Sequence, residues 1–212
     1  MNKKKSIRKL LIIALLGTIS VVLMFLEFPL WFAPNFYEFD FSEVPVLVGA
    51  FAFGPVAGIT IEAIKIILNL IITSSITMGV GELANFIVGI ALVVPASFIY
   101  HRHKTKKQAL IGLVVGTLSM AFFGALMNAF VLLPAYAFFL STPEWAVTVA
   151  DFVAMGSALN PLITNLFTFI MFAVVPFNLF KGVLVSIVVL LIYKRVSMLI
   201  KAKDSENFEE SI

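Results

Sequence analysis

His101-Arg102-His103-Lys104-Thr105-Lys106-Lys107 divides a chain otherwise poor in charge into two apolar halves. Two more basic clusters lie at the ends, Lys3 to Lys9 and Lys194 to Lys203. Together the three hold thirteen of the fifteen Lys and Arg residues. The connections between them carry Glu27, Glu38, Asp40, Glu43, Glu144 and Asp151, with no Lys or Arg. Basic residues beside membrane segments stay on the cytoplasmic side. All three clusters are therefore expected in the cytoplasm, with both termini inside and an even number of crossings.

Composition points the same way. The 212 residues are 61% hydrophobic and 13% charged, with mean hydropathy +1.06 and 22 Phe. A soluble domain carries about twice that charged fraction. One crossing of a bilayer takes roughly 20 apolar residues, so the chain has room for about six. The expected fold is an all-α integral membrane protein of six transmembrane helices, N- and C-termini cytoplasmic, with residues 1–200 as a single domain. The polar tail 201–212 is expected to be disordered. The first apolar run, Leu10 to Leu26, ends in Glu27-Phe28-Pro29 without a small-x-small cleavage site, so it reads as a retained helix rather than a signal peptide.

The same pattern excludes several functions. The net charge of +3 resides in the clusters that orient the helices, which leaves no case for nucleic acid as a partner. The chain has no Cys, no G-x-x-x-x-G-K-[ST], no H-E-x-x-H and no G-x-S-x-G, so no ATPase, metalloprotease or hydrolase chemistry is encoded. His101 and His103 lie in a charged loop with no third ligand nearby, and no metal or cofactor is expected. The reading is of a non-enzyme.

Two basic residues fall outside the clusters, Lys65 and Lys181, both in apolar segments. An ionisable group there costs roughly 2.5 kcal/mol or more at mid-bilayer and marks a function or a partnered pair. Glu62 and Lys65, three apart on one helix face, are expected to neutralise each other. Lys181 lies in Val175-Pro176-Phe177-Asn178-Leu179-Phe180-Lys181-Gly182. A helix beginning at Pro176 places Asn178 and Lys181 on one face beside two rings. Because Pro161 to Tyr193 is too long for one simple crossing, Pro161 to Val175 is expected to be an external or re-entrant piece.

The remaining helices are expected from near Pro45 to a tight turn at Gly54-Pro55-Val56-Ala57-Gly58, from that turn back to about Thr73, and at about 82–100 and 109–133, with 134–160 outside. Glu82 and Asn85 then share a face of a first helical turn, and Asn128 sits in the outer half of its helix. The loop from Glu27 to Val44 is rich in rings and acids, among them Phe39, Asp40 and Phe41, and suits a lid. The polar candidates Glu82, Asn85, Asn128, Asn178 and Lys181 thus gather at the outer helix ends beneath it. A few amides and charges on an apolar wall fit a flat, hydrogen-bonding small molecule.

Phe39-Asp40-Phe41-Ser42-Glu43-Val44-Pro45, Phe53-Gly54-Pro55-Val56-Ala57-Gly58, Gly79-Val80-Gly81-Glu82-Leu83-Ala84-Asn85-Phe86 and Pro176 to Gly182, in that order and spacing, resemble the riboflavin-specific substrate-binding components of energy-coupling factor transporters. The resemblance spans about Lys9 to Tyr193. It implies a bacterial plasma-membrane protein that captures riboflavin outside and works with a separate module of two ATPase subunits and one transmembrane coupling subunit. It also implies that Asn128, Asn178 and Lys181 contact the isoalloxazine ring. Family members often dock the coupling subunit through Ala-xxx-Ala on the first helix. Here Ala14 and Thr18 hold those positions with Gly17 beside them, so the second small residue is Thr rather than Ala. The alternative is an ion-coupled secondary transporter using Glu62, Lys65 and Glu82 as a relay.

Overall fold

The computed structural model describes residues 3–75 and 77–209, with side chains described over 7–75 and 77–192. The chain folds as a multi-pass helical bundle. Its helices are α1 (Lys3–Met24), α2 (Glu43–Phe53), α3 (Pro55–Thr73), α4 (Val80–Arg102), α5 (Lys106–Met127), α6 (Leu133–Leu140), α7 (Val149–Leu159), α8 (Leu166–Phe169) and α9 (Val175–Glu209). A two-residue antiparallel ladder joins β1 (Phe28–Pro29) to β2 (Glu38–Phe39) inside the loop after α1. The expected tail, 201–212, falls on residues whose side chains lie outside the described ones, and 210–212 lie outside them altogether.

Five stretches are long and apolar enough to cross a membrane, namely Ile7–Met24, Pro55–Thr73, Val80–Arg102, Lys106–Leu140 and Leu166–Ile192. Less than half of each is buried within the bundle, and residues such as Leu11, Phe122, Phe130, Phe138 and Leu191 face outward. Such a surface fits hydrocarbon rather than water. The helix α2 differs. At 11 residues it is about 16 Å long, and its sides are enclosed by α1, α3, α4 and α9. It begins at Glu43 rather than near Pro45, because a proline in the first turn has no intrahelical N–H bond to lose. The turn into α3 passes through Gly54 at φ +99°, a conformation that favours glycine.

Close helix approach rests on small residues. A Cβ on Gly112 of α5 would lie 2.5 Å from the Ala96 carbonyl oxygen of α4, so the two backbones meet almost directly there.

The second half of the chain departs from expectation. Of the segment Pro161 to Val175, only 161–165 stay outside a long helix, and the rest is neither an external piece nor a separate re-entrant one. Helix α8 passes through a π-helical turn, Ile170–Val174, straight into α9, making one span from Leu166. A proline clashes with the carbonyl four residues back and cannot donate to it, and a π turn widens the ladder where that bond is lost. The same device recurs in α5, which continues through a π turn at Asn128–Leu132, past Pro134, and on through α6 to Leu140 instead of ending at Leu133. Each π turn ends two residues before its proline. Residues 134–160, expected as an external loop, therefore hold α6 and the capped helix α7.

Two clusters make up the core. One packs Leu47, Phe51, Ile61, Leu92, Tyr100 and Leu113 in the half of the bundle nearer the 101–107 loop. The other is rich in aromatic rings, with Tyr37, Phe39, Phe152, Phe169 and Phe177, and lies at the opposite end under the β1–β2 loop. Phe41 packs against both.

Candidate functional site

The β1–β2 loop is tied down by rings. Tyr37 lies 5.4 Å from Phe177 between centroids, Phe32 lies 5.6 Å from Phe180, and Phe39 lies 4.8 Å from Phe41. Edge-on and tilted pairs at such distances each add about 0.5–1.5 kcal/mol beyond area burial. The loop also reaches inward with polar groups. The Tyr37 hydroxyl donates to Asn128 Oδ1 at 2.5 Å, and Lys181 Nζ donates to Asp40 Oδ2 at 2.6 Å. The second Asp40 oxygen accepts from the Ser42 backbone N–H at 2.7 Å.

Beneath this loop lies a cavity of about 250 Å³. Of the residues expected at the site, Asp40, Glu82, Asn85, Asn128, Asn178 and Lys181 all line it. Phe39 and Phe41 do not; Phe39 is fully buried, and both hold the loop in place. The π turns deliver the two central amides. Asn128 opens the first, and Asn178 follows the second by one helical turn. Asn128 donates Nδ2 to the Gly124 carbonyl and Asn178 donates Nδ2 to the Val174 carbonyl, which fixes both orientations. Gly124 makes room, since a Cβ there would lie 2.8 Å from Asn178 Nδ2.

The mouth is acidic. Burial pushes Glu27 up to about 7, with the Glu38 charge, a hydrogen bond to Glu38 and the Asp40 charge adding to it and Lys181 opposing. Burial would raise Asp40 too, but the Lys181 and Lys65 ammoniums and the bonds from Lys181 and Ser42 outweigh it and hold that carboxyl below its ordinary value. Glu82 accepts from the Ser75 hydroxyl at 2.8 Å rather than only capping its helix.

The sequence did not single out Tyr37, Asn69 or Tyr136 as cavity residues. Asn69 had a signal, since Glu62, Lys65 and Asn69 recur at helical spacing along one face of α3. Tyr136 had none, because it lies beyond the point where α5 was expected to stop. Glu62 and Lys65 do pair, at 2.7 Å, but Glu43 of α2 joins them at 2.6 Å from Lys65. His101 Nε2 lies 3.1 Å from the Ala50 carbonyl oxygen, and among the described residues no group of three or more His, Cys, Asp or Glu could hold a metal.

On α1, Ala14 and Thr18 are exposed and linked by a Thr18 hydroxyl bond to the Ala14 carbonyl at 3.0 Å. Gly17 does not share that outward face. It is buried against Ile64 of α3, whose Cγ2 a Cβ would meet at 2.5 Å.

Comparison with known proteins agrees with this architecture. Residues 8–193 match the family of ECF transporter, substrate-specific components. Riboflavin transporter FmnP of Bacillus subtilis (strain 168) is 34% identical over 188 residues, covering 88% of this chain and 90% of that protein. Riboflavin transporter RibU of Staphylococcus aureus (strain TCH60) is 34% identical over 196 residues, covering 92% and 93%. A solved structure described as the S component of a bacterial ECF transporter superposes with TM-score 0.70 at 32% identity, over 92% of this chain and 99% of that one. With the family match running the length of the bundle and the cavity formed inside it, the chain belongs to the substrate-specific components of ECF transporters.

Proposed function

We propose that the cavity binds riboflavin and that the protein delivers it across the membrane with a separate ATPase and coupling module. The observation that carries this reading is the convergence of Asn128, Asn178 and Lys181 with the Tyr37 and Phe177 rings on one cavity under a closed loop. Two amides and an ammonium offer donors and an acceptor to the edge of a flat heterocycle, and the rings offer it a face. Two transporters similar to this chain in sequence carry riboflavin in their names, which supports the same ligand here.

In this reading both termini and the 101–107 loop face the cytoplasm, α2 completes a set of six crossings, and the loop over the cavity faces outside. Ala14 and Thr18 present the small-residue face to the coupling subunit. Titrating the detergent-purified protein with riboflavin while following flavin fluorescence tests the ligand: quenching at sub-micromolar concentration is expected. Absence of quenching refutes the assignment. The buried Glu43–Lys65–Glu62 group supports a second reading, ion-coupled transport, which uptake persisting in cells that lack the ATPase module would establish.

A further inference from the structure

Two carboxylates and one ammonium meet below the cavity. Lys65 Nζ donates to Glu43 Oε1 at 2.6 Å, lies 2.7 Å from Glu62 Oε1, and reaches Ser42 Oγ at 3.4 Å. The three ionisable residues Glu43, Glu62 and Lys65 are 3%, 0% and 2% exposed. Fully ionised, the group carries one uncompensated negative charge.

Among the described residues, nothing packed around it supplies the missing positive charge. Lys181 of α9 is already matched by Asp40. Helix α4 faces the pair with Gly89, where a Cβ would fall on the Glu62 carboxyl and 3.1 Å from Glu43 Oε1. Its acidic residue, Glu82, lies about two turns away and bonds to Ser75. Helix α1 packs against this part of α3 with Gly17. Glu43 Oε2 and Glu62 Oε2 are buried and make no hydrogen bond among the described residues, and Glu62 Oε1 has only the Lys65 ammonium beside it. An ionised carboxylate left unmatched in an apolar interior costs several kcal/mol, so the group relieves it by taking up a positive charge.

We propose that Glu43 and Glu62 together bind one proton, making the Glu43–Lys65–Glu62 group neutral within the membrane-embedded fold. The occupant is a proton rather than a metal ion for a geometric reason. The Lys65 ammonium already contacts both Oε1 atoms, so a metal ion sharing them would sit against a like charge. A proton needs only one oxygen, and Glu43 Oε2 and Glu62 Oε2 both stand free of Lys65. Glu43 and Gly89 both line the cavity, which gives the proton its route to and from water. The site does not depend on which ligand fills the cavity.

Infrared spectroscopy of the detergent-purified protein near neutral pH tests this, in a Glu27→Gln background that removes a mouth carboxyl titrating in the same range. The parent should show the carbonyl band of one protonated carboxyl, shifting on exchange into heavy water. Glu62→Gln and Glu43→Gln should each abolish it, because the carboxylate that remains is matched by Lys65. Lys65→Met should add a second such band, because neither carboxylate then has a cation. A parent without the band, a band that survives both Gln substitutions, or a band lost when sodium replaces potassium overturns the proposal; the last identifies a metal ion as the occupant.

Discussion

Lys181 of α9 and Asp40 of the β1–β2 loop, 141 positions apart, share a buried ion pair of 2.6 Å that joins the loop to the cavity wall. The pair holds the loop, and in the proposed function its ammonium would also meet the riboflavin. Removing one partner of a buried pair strands the other and costs about 3–5 kcal/mol, whereas replacing both by uncharged groups is often neutral. Lys181→Met alone should lower the thermal midpoint by several degrees, at about 2–4 °C per kcal/mol for a chain of this size. The double variant Asp40→Asn with Lys181→Met should recover much of that midpoint. Riboflavin affinity should stay at least tenfold weaker in both. Full recovery of binding in the double variant would show that Lys181 acts only through the loop.

Tyr37 and Asn128 separate loop closure from ligand contact in a second way. Tyr37→Phe keeps the ring beside Phe177 and removes only the hydroxyl that donates to Asn128 Oδ1. It leaves that buried acceptor for the ligand to use, so stability should fall by about 1–3 kcal/mol while affinity changes less than about tenfold. Asn128→Ala removes the amide itself and should weaken binding by more than tenfold. Calorimetric unfolding beside fluorescence titration reads both effects, and equal losses of affinity in the two variants would count against Asn128 as a ligand contact.

What the sequence displayed and what it concealed divide along physical lines. Hydropathy and the three basic clusters made the helical membrane class legible, because lipid forces every span to be apolar and satisfied within itself. The polar residues that line the cavity were legible as a set, because Asn178, Lys181, Asn128 and Glu82 are conspicuous in apolar runs. Continuity through Pro134 and Pro176 was not legible. A proline normally argues for a break, and the π turns that absorb it at Asn128–Leu132 and Ile170–Val174 leave no mark in composition. Glu43 as the third member of the Lys65 group was hidden for another reason, since its pairing is set by how α2 packs on α3, which no local pattern reports. Gly17 looked like part of a docking face, yet helical phase turns it toward Ile64.

The mouth should respond to pH through Glu27. Its carboxyl titrates at about 7 in the folded protein against an ordinary value of 4.5. A raised value means the native state binds this proton more tightly than the unfolded state does. The contribution to stability is therefore complete below about pH 4.5 and is lost as pH rises toward 7. Glu27→Gln should flatten the dependence of the thermal midpoint on pH across that window relative to the parent. Identical slopes would mean that Glu27 is ionised throughout, and that Glu38 does not share its proton.

The outward pair on α1 should separate capture from delivery if it is the docking face proposed for it. Ala14 and Thr18 lie one turn apart on an exposed face, and the Thr18 hydroxyl is turned back onto the Ala14 carbonyl, so the face presents methyl groups and little else. A partner helix can approach such a face closely, and a leucine there would hold it off. Neither residue lines the cavity. Thr18→Leu should therefore leave riboflavin affinity within about twofold of the parent while reducing uptake in cells that carry the ATPase and coupling subunits by tenfold or more. Thr18→Ala, which keeps the face small, should transport normally. Normal uptake by the leucine variant would move the docking surface off this face of α1, and weakened binding by it would mean that the substitution disturbs the bundle rather than its partner.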